Sequence, residues 1–580
     1  MTGRTGVAAR RTALAALAAL LPFLSSCSGP REAPADLLIV NARVHTVDAA
    51  QPRAEAVAVR GERIVWVGAG RDAERLRGSG TRTIDAGGRL VLPGFIDSHN
   101  HIMFGSDPNV ATLGGAESFE DLKAAVRDFA AAHPDLSWIE GEGWNYSSLP
   151  GGRRPTAADL DGLTGGRPAF LISYDSHTVW LNREAIQRLG ITGATNRLPY
   201  GEVERDPHTR APTGFLTGFA TLGLSSEGRA ALAGTLPSYA KGGQAVRLRR
   251  NLVLAASYGI TTIVEPQAFP EDLPVFEAER RAGRLKPRLQ IALFHPRGTS
   301  QAGIDAFDGA RRRFADDRMR VAAVKLYIDD VIEPHTAAML QPYADAPETR
   351  GDTIYPPEEF AAVVTRLDAM KFQIFIHAIG DRGIRTALDA LERARTANGP
   401  RDSRHQLVHV ECLAPQDAPR FKALGVVACM QPRHCAPEIA ARWGEAVGAP
   451  RWDFAWAFRT LAEAGATLAF ASDWNVAEME PVVGIYSALT RGGLDGRPSG
   501  PWGRGQTVDV ETAIAAYTLQ GAWANFVDGN RGSITVGKYA DLIILSDNLL
   551  EIPAAAIPKT RVLLTLVGGQ EIYRDPALAP

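Results

Sequence analysis

The chain has 580 residues, too many for one simple core, so at least two domains, or one large domain with additions, are expected. With 45% hydrophobic and 22% charged residues it has the balance of a globular protein rather than a disordered one. A formal net charge of -2 removes any broad electrostatic reason to expect nucleic acid as a partner.

At the N-terminus, Arg4, Arg10 and Arg11 precede TALAALAALLPFL, and LSSC follows, ending at Cys27. A short basic region, an apolar run of about a dozen residues and small residues at the cut are the pattern of a signal peptide over 1–26, too short for a spanning helix. Leu24-Ser25-Ser26-Cys27 resembles the lipobox of bacterial lipoproteins. This implies a lipidated Cys27 and an exported, membrane-anchored, periplasm-facing protein. The alternative is an ordinary cleaved signal with an incidental cysteine. Arg10-Arg11 also permits export of an already folded chain. Residues 27–35 read as the lipoprotein tether. Cys412, Cys429 and Cys435 are too few for a disulfide framework and are expected as buried thiols, with a Cys429–Cys435 bridge as the alternative.

Next comes a β-rich stretch. LLIVNARVHTV, AVAVRGERIVWVG and TRTIDAGGRLVLPG alternate apolar and polar residues and break at Gly and Asp. GSITVGKYADLIILS and RVLLTLVGGQEIYR, near the C-terminus, have the same character. The two ends predict one small β-sandwich domain built from residues 36–91 and 530–580. Between them, apolar runs recur at 95–101, 259–266, 288–294, 321–329, 372–378, 405–411, 426–432 and 467–474. Most are followed by helical periodicity, as in EEFAAVVTRLDAM and GIRTALDALERAR. Near-continuous apolar strands alternating with helices predict an α/β fold, a (β/α)8 TIM barrel over 92–529. The long, Gly-, Pro- and Trp-rich gap at about 105–258 predicts a large insertion after the first strand, an inserted subdomain or a lid over the barrel mouth.

Barrel active sites form at the C-terminal ends of the strands. His99 and His101 end the first run, Lys325 lies late in the fourth, His377 ends the fifth, His409 falls late in the sixth and Asp473 ends the eighth. Residues two apart on a strand share a face, so His99 and His101 both aim into the mouth, with Asn100 turned away. Two convergent imidazoles are a metal-ligand pair. A lone buried histidine is more often a hydrogen-bonded core residue, but coincidence does not explain four histidines, a lysine and an aspartate at successive strand ends.

PGFIDSHNH, YDSHTVWLN, VKLYIDD, HAIGD, LVHVE, MQPRH, ASDWNV and KYADLIIL, in this order over most of the chain, resemble the metal-dependent amidohydrolase superfamily, in the branch of N-substituted formamide deformylase-like proteins (amidohydrolase family 3). The resemblance implies that His99 and His101 bind one metal and His377 and His409 a second. It implies a carbamylated Lys325 bridging both, made with carbon dioxide, and Asp473 as metal ligand and general acid/base. Two zinc ions are implied, with manganese, iron, cobalt or nickel as alternatives. A free ammonium buried beside divalent cations would be disfavoured, whereas a carbamate supplies two hard oxygens. The alternative is a salt-bridged Lys325 beside a single metal. Glu265, ending the second run, is a rival bridging carboxylate, and it could equally bind substrate or pair with an arginine of the insertion.

In YDSHTVWLN, Tyr174 and His177 are placed near substrate by the resemblance, and His434 in MQPRH could stabilise an oxyanion. Trp144 and Trp474 would give the pocket aromatic walls, although tryptophan is more often packed. Asp381 in HAIGD either orients a ligand or caps the following helix. The function expected is hydrolysis of a C–N bond in a small amide, formamide or cyclic amide by metal-activated hydroxide. No Gly-x-Ser-x-Gly elbow suggests a protein nucleophile. The alternatives are the same site acting on a lactone, phosphoester or dipeptide, or an inactive lipid-anchored binding protein. A homodimer is the default assembly.

Overall fold

The computed structural model describes residues 33–578, except 224 and 241; the expected signal peptide, Cys27 and most of the tether lie outside the described residues. Among the described residues no helix is long and apolar enough to cross a membrane.

Eight strands form the central sheet: β1 (Phe95–Asp97), β2 (Ile260–Ala268), β3 (Arg288–Phe294), β4 (Met319–Tyr327), β5 (Gln373–Ala378), β6 (Gln406–His409), β7 (Val427–Met430) and β8 (Thr467–Phe470). They pair in parallel and in chain order. Each corresponds to one of the apolar runs, because a strand buried on both faces must be apolar throughout. Beyond the strand ends, Ser98 donates its N–H to Phe470 O at 3.3 Å, Asp473 donates to His99 O at 2.8 Å, and Asn100 bridges Trp474 in parallel. These bonds bring β8 against β1, so the sheet is a TIM-barrel-like α/β fold.

Val264, Ala292, Ala323, Phe375, Val408, Cys429 and Ala471 form one buried apolar cluster, a residue from each of β2 to β7 and one just past β8. This layer is the floor of the barrel mouth. Alternation along a strand places the residue two positions further on the same side. Lys325, His377 and Asp473 stand two residues beyond Ala323, Phe375 and Ala471. Lys325 and His377 rise from the floor without further adjustment, whereas Asp473 does so with a left-handed φ of 58°.

Strands from the two chain ends form two sheets, ordered Arg63–Gly68, Ala56–Arg60, Leu37–Val40, Arg82–Asp85 and Gln570–Arg574, Val562–Val567, Leu542–Leu545, Leu90–Pro93, Arg43–His45, Arg53–Ala54. Leu37, Ile39, Val57 and Ile84 of the first share a core with Val91, Leu542, Ile544 and Leu564 of the second. Residues between β1 and β2 build a seven-stranded sheet from Ala111–Thr112 to Arg197–Leu198. Its helix Phe119–Ala132 is capped reciprocally by Ser118 and Asp121 and buries Leu122, Val126 and Ala130 at helical spacing.

A buried ion pair ties the terminal sheets to the barrel. Asp541 accepts from Arg288 Nε at 2.8 Å and Nη2 at 3.1 Å, and also from the Gly568 N–H at 2.8 Å. Both side chains are almost fully buried, and the Arg288 guanidinium lies 4.0 Å from the Tyr539 ring centroid. Asp541→Ala strands that guanidinium, with an expected cost of about 3–5 kcal/mol. A lower thermal unfolding midpoint is the expected result; an unchanged midpoint would show that the pair does not hold the terminal sheets in place.

Candidate active site

His99 and His101 lie beyond the end of β1, not within it. Their alternation survives because the segment is stitched on both sides: Asn100 donates its N–H to Val264 O at 2.9 Å, and His101 donates to Trp474 O at 2.8 Å. The Asn100 side chain turns away and donates to Asp97 Oδ2 at 2.8 Å. Asp97, which burial pushes up to about 6 against hydrogen bonds from Ser472 and Asn100, braces the β1–β8 junction by accepting from the Ser472 hydroxyl at 2.6 Å.

Asp473 is the meeting point. Its Oδ1 is 3.3 Å from His99 Nε2 and 3.2 Å from His101 Nε2, and its Oδ2 is 3.7 Å from both His409 Nδ1 and His434 Nε2. Among the described residues, two groups are therefore close enough to hold a metal ion, His99–His101–Asp473 and His409–His434–Asp473. His377 stands slightly apart. Its Nε2 is 3.3 Å from Asp330 O, and its ring stacks on Tyr327 with centroids 4.5 Å apart and lies 4.4 Å from that of His409.

His409 needs an explanation, because Val408 belongs to the floor layer and simple alternation would point its neighbour away from the mouth. His409 and Val410 have φ of 78° and 50°, and Asp473 has φ of 58°. Left-handed conformations at non-glycine residues cost of order 1–3 kcal/mol each and gather at functional sites. Here they re-aim the His409 ring onto the cluster. His409 Nδ1 lies 3.0 Å from Gln431 Oε1, and His434 Nδ1 lies 3.3 Å from Glu411 Oε1. Such partners fix ring orientation and tautomer.

Burial sets the charge states. It pushes His99 down to about 3, with Lys325 adding to the fall, and it carries His377 and His409 well below the usual imidazole range. These rings are neutral and keep a lone pair for a ligand. Burial works against ionisation of Asp473, but the surrounding histidines hold it well below the usual carboxylate range. Lys325 is fully buried with no hydrogen-bond partner for Nζ, and burial brings it down to about 8. Its ammonium position is 5.0 Å from the Tyr327 ring centroid. Glu265 is pushed up to about 7 by burial, and its Oε1 is 4.0 Å from His101 Nδ1.

A cavity opens above this cluster. His101, His177, His377, His409 and Asp473 line it together with Phe104, Phe170, Phe219, Tyr239, Glu140, Glu142 and Arg247. His177 pairs through Nδ1 with Asp330 Oδ1; burial opposes its protonation, but Asp330 raises it to about 9, so it is a cation. Tyr174 donates to Glu333 Oε1 at 2.7 Å, outside the cavity lining. These two contacts pin YDSH to the segment after β4.

The expected aromatic walls are placed differently. Trp144 is fully buried in the inserted core and donates its indole N–H to Leu171 O at 3.1 Å. Strand register breaks between Glu142 and Trp144, with Gly143 at φ 92°, and the ring turns inward to the sheet's own core. Trp474 donates to Phe104 O at 3.0 Å, and Asn475 and Val476 line the cavity instead. Phe104, Phe170, Phe219, Tyr239 and Tyr327 supply the aromatic surface; their surroundings look like those of any core aromatic in the sequence. Asp381 accepts from the Leu340 N–H at 2.7 Å inside the helix Asp381–Asn398, reaching neither a histidine nor the Gly380 cap position. Asp330, Glu411 and Gln431 sat inside or beside recognised motifs, but only their spatial partners give them a role. The three cysteines are free and buried.

The comparisons with known proteins agree with this architecture. The amidohydrolase family model matches residues 82–573. Protein LONG AFTER FAR-RED 3 of Arabidopsis thaliana is 29% identical over 95% of this chain and 94% of its own. The N-substituted formamide deformylase of Arthrobacter pascens is 27% identical over 92% and 97%. An uncharacterized metal-dependent hydrolase from Pyrococcus furiosus shares the fold, with a TM-score of 0.66 and 24% identity over 89% of this chain and 100% of that one. A family model that spans the barrel and strands from both ends, over a cluster built at successive strand ends, leaves one assignment: this chain belongs to the amidohydrolase family.

Proposed function

We propose that this protein is a metal-dependent hydrolase of a C–N bond in a small amide, formamide or cyclic amide. One observation carries the reading. Both ring nitrogens of His99, His101 Nδ1, His434 Nε2, Asp473 Oδ1, Glu265 Oε2 and Lys325 Nζ are buried without a hydrogen-bond partner, in one place. Native proteins rarely leave buried polar atoms unpaired, and neutral imidazoles around an ionised carboxylate are a donor set for a divalent cation, zinc first. The residues fit the metal that the family's chemistry needs. The formamide deformylase among the relatives supports the choice of bond.

His99, His101 and Asp473 would hold one cation; His409, with His434 or His377, would hold a second on the other face of Asp473. Lys325 would complete the site as a carbamate, since a lysine brought down to about 8 keeps a reactive neutral fraction. Glu265 is the competing bridge, favoured by its approach to His101. A cation bound there supplies Lewis acidity, which acidifies a water and polarises a carbonyl. The protein does the rest. Asp473 accepts the water's proton and passes it to the leaving nitrogen. His177, charged by Asp330, faces the cavity and donates to the carbonyl oxygen as negative charge develops. The inserted sheet covers the mouth as a lid, the two terminal sheets act as a β-sandwich, and Cys27 anchors the exported protein to a membrane.

Elemental analysis of protein grown with zinc and bicarbonate should find about two cations per chain, and about one in Lys325→Ala. No metal after reconstitution would sink the hydrolase reading. Zinc should raise the thermal midpoint and a chelator lower it, because only the folded chain assembles the donors. On a panel of formamides, amides, lactones and phosphoesters, Asp473→Asn should lower kcat by about 10²-fold or more. Asp330→Asn should lower kcat by about tenfold with metal content unchanged; lost metal would make Asp330 a support of the cluster instead.

A further inference from the structure

One wall of the cavity comes from the inserted sheet, and its charges are not balanced. Glu140 and Glu142 stand two apart on strand Ile139–Trp144 and share a face toward the cavity. Glu140 is satisfied inside the protein, accepting from the Ser238 N–H at 3.1 Å and from the Ser238 hydroxyl. Glu142 is not. Its carboxylate receives only the amide of Asn475, at 3.3 Å, and among the described residues it has no ion pair.

Arg247 is the nearby cation, but it is committed elsewhere. It donates to Ser238 O at 2.7 Å and lies 5.5 Å from the Tyr239 ring centroid. It is almost fully buried, and its Nε has no partner. Burial lifts Glu142 to about 7, Arg247 offsets only part of this, and Asp107 and Glu140 push the same way as burial. Glu142 is half-buried, and an under-compensated, partly desolvated carboxylate costs free energy that an incoming cation recovers through charge-assisted hydrogen bonds. Phe104, Phe170, Phe219 and Tyr239 line the approach, and aromatic faces attract a cation as well as an apolar spacer.

We propose that Glu142 anchors a subsite for a cationic, hydrogen-bond-donating group of the substrate, an ammonium or amidinium carried on an aromatic or alkyl spacer. The substrate class is then basic amides rather than neutral or acidic ones. The choice of scissile bond rests on the hydrolase reading; the subsite itself does not.

Calorimetry on the full, metal-loaded chain tests it with benzyl methyl ketones that differ only in the para group: aminomethyl, methyl or carboxylate. A ketone with carbon in place of the amide nitrogen does not turn over. At about pH 8, where Glu142 is ionised, the aminomethyl ligand should bind about tenfold or more tighter than the methyl one. In Glu142→Gln that ratio should fall to about twofold or less. Equal affinities in the wild type, or no binding of any of the three, would overturn the subsite. Tightest binding of the carboxylate would overturn it in favour of Arg247 as the anchor. Hydrolysis is read separately, as formate release from para-aminomethyl and para-methyl benzylformamide. Release from neither would count against the hydrolase reading and leave the binding comparison standing.

Discussion

The site depends on one carboxylate facing two ways. Asp473 turns one oxygen to His99 and His101 and the other to His409 and His434. Without it, neutral imidazoles and a lysine would meet in a buried space with nothing to balance an added cation. With it, the cluster has a fixed negative charge at its centre, kept ionised by the rings around it. The same residue sits where the barrel's last strand meets its first. Its N–H bonds to His99 O, and the residue before it, Ser472, bonds to Asp97. Sheet closure and site assembly are thus the same set of contacts, and damage to one reaches the other.

Regular strand geometry carries most of the remaining work. Lys325 and His377 emerge above the apolar floor because they stand two residues beyond floor residues of their own strands. His409 is the exception. It lies one residue beyond Val408 and reaches the site only through a left-handed bend. The chain therefore pays in backbone strain at His409 and Val410, where alternation fails, and also at Asp473, but not at Lys325 or His377. That localisation is what a site under selection for ligand geometry predicts.

The barrel was legible because burial on both faces leaves an unmistakable signature. All eight apolar runs became parallel strands in chain order, with ends shifted by at most four residues. The metal-capable residues were legible because polar side chains at the ends of apolar runs have few structural uses. What failed to show was everything decided by tertiary geometry. The split of Asp473 between two histidine groups is a matter of ångströms, not spacing. Placing His434 rather than His377 beside it required the segment after β7 to fold back. Trp144 looked like a pocket wall because it is large and aromatic; a register break one residue earlier sent it into the inserted core.

Two parts of this chain line the cavity. The strand ends of the barrel supply His101, His377, His409 and Asp473. The insertion supplies Glu140, Glu142, Phe170 and Phe219. Contacts that couple the parts include Tyr174 with Glu333, Asn475 with Glu142, and His177 with Asp330. The last is the most consequential. His177 belongs to the inserted sheet's segment, yet its charge is set by a residue following β4. The side of the cavity that the insertion builds therefore carries a cation that the barrel controls. Substitutions in the insertion can reshape that wall without disturbing Asp473, whereas a change at Asp330 alters both the fit of the insertion and the charge at His177.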